Sequence, residues 1–137
     1  MSQESAFHDA VDALRARRPR YAREAYAFVV AALNETVRGL PAERFEVPER
    51  RHLSGRELTE GVVRLARAEF GSLAPVVFRE WGVRATEDLG EIVFELVEVR
   101  QLSARAEDTR ADFTGQLELL AALGEPAPPR ALRGRPA

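Results

Sequence analysis

Three groups of side chains in this 137-residue chain could do chemistry. Glu91, Glu95 and Glu98 recur at i, i+4, i+7, the spacing that lines carboxylates along one side of a helix. They could hold a hard cation through oxygen ligands, but a carboxylate stripe on one helix is far more often a solvated face paired with arginines from its neighbours. We mark it as a candidate acidic interaction face. Arg15, Arg17, Arg18, Arg20 and Arg23 form the densest positive cluster, a candidate basic corner for a phosphate or an acidic partner. The blander reading, a solvated corner whose arginine stems lie over the core, outweighs that one. His8 and His52 are the two imidazoles, and neither has partners at ligand spacing. The chain has no cysteine, which excludes disulfides and thiolate metal sites. No metal and no cofactor is expected.

The acidic stripe lies within Thr86 to Val99, the stretch around which the chain is organised. On a helix, Leu89, Ile92, Val93, Phe94, Leu96, Val97 and Val99 sweep an apolar arc far wider than the usual surface stripe. Such a helix must be packed on most sides, leaving Glu91, Glu95 and Glu98 as its wet strip. Thr86 is a good N-cap acceptor, and Glu87 and Asp88 follow where the helix dipole favours acids.

Upstream, Phe7, Ala10, Val11 and Leu14 repeat at i, i+3, i+4, i+7 and predict a helix over 5–17 that Pro19 stops. Pro19 also opens the next helix, which turns Tyr21, Ala25, Phe28, Val29, Ala32, Leu33 and Val37 inward and ends at Gly39. Residues 39–51 read as a long surface loop. Ser54 and Glu57 make a capping box for a third helix with Leu58, Val62, Leu65 and Ala66 inward. Gly61 in its interior implies a close helix contact, and Gly71 suits a left-handed stop. Ser72 caps a short fourth helix that carries Pro75 in its first turn and closes at Gly82. That helix, the turn after it and Thr86 to Val99 have the outline of a helix-turn-helix. Residues 101–105 read as a short strand and 106–112 as a turn, so whether 101–113 form a β wing stays open. Phe113 returns to the core, and Leu117, Leu120 and Ala121, with Leu123 as a further candidate, belong to a last short helix ended by Gly124.

The fold class expected is mainly α: one domain over 1–123, built as a bundle of about six helices with a helix-turn-helix-like pair. A Pro/Arg-rich tail over 124–137 is expected to be disordered. A chain of this length can bury a proper core without staples. All 20 basic residues are arginine, and the net charge of −2 gives no global pull toward nucleic acid. The N-terminus lacks a basic-then-apolar leader pattern, and no apolar run approaches the roughly 20 residues that span a bilayer. A cytoplasmic protein without membrane contact is expected.

Five stretches then look familiar together: PRY at 19–21, EAYAFVVAAL at 24–33, HLSGREL at 52–58, EFGSLAPVVFREWGV at 69–83 and TEDLGEIVFELVE at 86–98. In order and spacing they resemble an uncharacterised family of small bacterial proteins, a Minf-type domain of unknown function, over most of residues 6–113. In that family an Asp often precedes Pro-Arg-Tyr, where Arg18 stands here, and a Gly-Leu-Leu run follows the central helix, where Val99 to Leu102 stand. The resemblance implies a cytoplasmic bacterial domain and carries over no activity.

For an enzyme one would want a phosphate loop, a metal-binding helix motif, a nucleophile elbow or a dinucleotide fingerprint, and none of these patterns occurs. The would-be recognition helix carries Glu87, Asp88, Glu91, Glu95 and Glu98 with no basic residue before Arg100, and duplex affinity comes mostly from cations meeting phosphates. The leading expectation is a non-enzymatic protein-interaction or regulatory module, with a protein partner or self-association. A winged-helix-like nucleic-acid-binding protein is the alternative.

Overall fold

The computed structural model describes residues 3–46, 53–102 and 111–126. Helix α1 spans Gln3–Arg17, α2 Arg23–Arg38, α3 Gly55–Phe70, α4 Ala74–Trp81, α5 Thr86–Glu98 and the one-turn α6 Leu119–Ala122. Short 3₁₀ turns lie at Ala42–Phe45, Gly71–Leu73 and Ala111–Phe113. This is a mainly α single domain, and no strand occurs among the described residues. None of its described helices is long and apolar enough to cross a membrane.

α5 is the inner element. Eight of its 13 residues are buried, with Leu89, Ile92, Val93 and Leu96 in the core as the apolar arc predicts. It packs against α2, α3 and the Ala111–Phe113 turn, while α4 packs against α2, α3 and α6. Four aromatic rings, Phe28, Phe70, Phe78 and Trp81, join α2, α3 and α4 with centroids 5.3 to 5.7 Å apart. That spacing suits the edge and tilted geometries aromatic rings prefer.

The capping box holds: the Ser54 hydroxyl accepts from the Glu57 amide, and the Glu57 carboxylate accepts from the Ser54 amide, both at 3.0 Å. Glu57 also accepts from Nη1 and Nη2 of Arg44, at 2.7 and 3.2 Å, which ties the Ala42–Phe45 turn to the start of α3. The close helix contact at Gly61 is equally plain. A Cβ there would lie 1.9 Å from the Thr36 hydroxyl on α2, a side chain already committed to the Ala32 carbonyl at 2.6 Å.

The structure departs from the sequence reading in several places. α2 starts at Arg23, not at Pro19, because residues 18–22 form a corner whose groups bond to other elements; the Ala22 amide donates to the Trp81 carbonyl at 3.1 Å. Ser72 caps nothing, since it lies within the Gly71–Leu73 turn and α4 begins after it without a side-chain cap. Thr86 does not cap α5 either. Its hydroxyl is buried and donates to the Phe113 carbonyl at 2.6 Å, while Asp88 accepts the Arg84 and Ala85 amides at 2.9 and 3.0 Å. Around α6, Leu119 and Leu123 are buried, Leu117 and Leu120 half-buried, and Ala121 exposed.

Gln101 and Leu102 are not strand. Both amides turn back to the Leu96 carbonyl, at 2.8 and 3.2 Å, and close the end of α5 around Arg100 at φ 62°. Residues 103–110 of the expected wing lie outside the described residues, as do 127–137 of the expected tail. Glu125, within that tail as drawn, sits on Arg79 through two contacts of 2.8 Å.

Two substitutions probe this backbone in opposite directions. Gly61→Ala should destabilise by about 1–3 kcal/mol, because overpacking against Thr36 outweighs the gain in helix propensity. Arg100→Gly should stabilise by about 1 kcal/mol, because glycine takes the left-handed position without Cβ strain. Denaturant midpoints check both, and a stabilised Gly61→Ala would mean α2 and α3 stand farther apart than described.

Candidate functional site

The residues with chemical potential meet at one place, the Arg18–Ala22 corner docked on α5. An apolar helix enclosed on most sides has no free side on which to keep a polar strip wet, and a buried carboxylate needs partners. The corner supplies them. Tyr21 donates to Asp88 Oδ1 at 2.7 Å and Arg20 Nη2 donates to the same oxygen at 3.0 Å. With the two amides on Oδ2, Asp88 has all four of its acceptor sites filled. Two helical turns along, Tyr26 donates to Glu95 Oε1 at 2.8 Å, and Arg18 Nε lies 3.5 Å from Glu95 Oε2. Arg18 Nη2 reaches on to Glu98.

Thus the candidate acidic face and the candidate basic corner meet at Arg18, which contacts Glu95 and Glu98, with Arg20 on Asp88 beside them. The wet strip is corrected at Glu95, which is 4% exposed, while Glu91 is half-buried and Glu98 stays exposed. Of the corner arginines, Arg15 is half-buried with Nε donating to the Tyr21 carbonyl at 2.9 Å, and Arg23 pairs with Asp12 at 3.1 Å. Arg17 is exposed. His8 is half-buried on α1, 3.9 Å from Glu4, and His52 lies outside the described residues. No group of His, Asp or Glu among the described residues is arranged to hold a metal ion.

Sequence reasoning missed Asp88, Tyr21 and Tyr26 as members of the site. Two signals were there. Asp88 stands seven residues before Glu95, two helical turns away on the same side, and a tyrosine assigned to a core needs a partner for its hydroxyl.

Burial, and then donation to a carboxylate, pushes both phenols well above the usual tyrosine range, so each stays a proton donor. Between the corner and α5 lies an open cleft of about 390 Å³ lined by Arg18, Pro19, Arg20, Tyr21, Glu91 and Glu95. Arg20 lies over the Tyr21 ring at 5.2 Å and keeps 66% of its side chain exposed.

The chain has two tyrosines, no lysine and no cysteine, so above about pH 9 the phenols are the only side chains that titrate before arginine. A phenol raised in the folded state contributes stability that is complete below its unfolded value of about 10 and is lost as pH climbs toward the folded value. The denaturant midpoint should therefore hold to about pH 10 and then fall, with phenolate absorbance appearing only as the chain unfolds. Replacing Tyr21 and Tyr26 by Phe should flatten that fall. Phenolate in the native protein near pH 10 would mean that the two hydroxyls are open to solvent.

Comparison with family models, with curated proteins and with solved structures finds no match.

Proposed function

We propose that this chain is a non-enzymatic interaction or regulatory module, cytoplasmic and bacterial, related to the Minf-type domain, and that it meets its protein partner at the corner cleft. The observation that carries this reading is the committed state of Asp88 and of the two phenols that hold the corner on α5. Asp88 has no acceptor site to spare, and the two phenols are held as donors. Such groups cannot take a proton from a substrate without dismantling the corner, whereas a fixed surface of mixed charge is suited to recognition.

The enclosure of α5 weighs against the nucleic-acid alternative. A recognition helix must lie exposed in a groove, and α5 offers solvent little beyond Glu87, Glu91, Phe94, Val97 and Glu98, three of them acidic.

A photo-crosslinking residue placed at Pro19 should capture a partner from bacterial lysate, while the same group at exposed Arg64 on α3 should not. Mixed-sequence duplex DNA should bind no tighter than a Kd of about 10⁻⁴ M at physiological salt. A salt-sensitive duplex complex at or below about a micromolar, weakened by changes in α5, would sink the interaction reading.

A further inference from the structure

We infer that the cleft takes a carboxylate, presented by an acidic peptide segment, on the outward edges of Arg20 and Arg18. The inference rests on the cleft being the contact surface and adds the chemistry of the partner.

Each guanidinium is braced from behind. Arg20 uses Nη2 on Asp88, and Arg18 uses Nε and Nη2 on Glu95 and Glu98. Among the described residues, Nε and Nη1 of Arg20 and Nη1 of Arg18 have no acceptor, and both side chains line the cleft with 66% and 40% of their surface exposed. Asp88 and Glu95 are 6% and 4% exposed and orient the arginines without offering oxygens to a ligand, while Glu98, 42% exposed, holds Arg18 through Nη2. A guanidinium fixed on one side presents its other donors in a plane, the geometry that a carboxylate matches with two parallel hydrogen bonds. Tyr21 and Pro19 give the cleft an apolar floor, and Glu91 lines its α5 wall. A protein partner presents such carboxylates on an acidic peptide segment.

The test uses the full chain, isotope-labelled, titrated with a capped peptide of alternating Ala and Glu and with its Gln and Lys analogues. The Glu peptide should shift amides confined to 18–22 and 91–95, and the Gln analogue should bind at least about tenfold more weakly. Arg20→Gln should weaken binding about tenfold, with Arg20→Lys restoring only part because it keeps the charge and loses the planar fork. Unfolding curves recorded in parallel separate a binding loss from a folding loss. Equal binding of the Gln analogue, tighter binding of the Lys analogue, full binding by glutarate alone, or indifference to Arg20→Gln overturns the acidic-peptide assignment while leaving the cleft as contact surface. No shift at the corner with any of the three peptides overturns both.

Discussion

The fold depends on docking a charged corner onto a helix that is otherwise core. Two carboxylates of α5 are almost wholly buried, and an uncompensated buried carboxylate costs several kcal/mol or changes its protonation state. Here each is met by a tyrosine hydroxyl and an arginine from one short segment, residues 18–26. Removing the segment would leave α5 unable to stay inside. The dependence runs the other way too, because the corner has little regular structure of its own and is held by what it bonds to: Asp88, Glu95, and the Trp81 carbonyl at the end of α4.

Glycines let that contact close. The end of α4 passes so near the corner that a Cβ on Gly82 would lie 2.7 Å from the Arg20 carbonyl, and Gly82 at φ 84° also ends the helix in a left-handed turn. Gly90 does the same on the far side of α5, where a Cβ would lie 2.9 Å from the Cβ of Phe113. Glu87 and Thr86 then hold residues 113–116 against the start of the helix through the Gly115 amide at 3.0 Å and the Phe113 carbonyl. The first turn of α5 is therefore pinned from both flanks. A helix so held is a scaffold, and the groups it positions keep their geometry when a partner arrives.

Much of this was legible in the sequence. Periodicity located the amphipathic runs, the Ser54–Glu57 box marked its helix start to the residue, and the glycines at 71, 82 and 124 marked helix ends, all three at positive φ. What stayed hidden has one physical cause. A polar residue is read from its neighbours in sequence, and the partners that decide the fate of Asp88 and Glu95 lie 67 to 69 residues away. Without them, Thr86 is the natural cap and Glu95 the natural surface residue. With them, Asp88 becomes both cap and anchor, and the hydroxyl of Thr86 is released to hold the Ala111–Phe113 turn.

The two stretches singled out for their charge turn out to be complementary halves of one contact, which changes what net charge can say about partners. A formal count over residues 15–23 and α5 sets five arginines against five acids, yet the atoms within reach of a ligand are not a fair sample of it. Burial withdraws the oxygens of Asp88 and Glu95 and leaves the outer edges of the arginines they hold. Screening at physiological salt weakens the field of the more distant charges over roughly 8 Å, so a ligand at the cleft mouth responds chiefly to the groups it touches. Recognition there follows from which charges are turned outward, a property of the docked pair that neither stretch possesses alone.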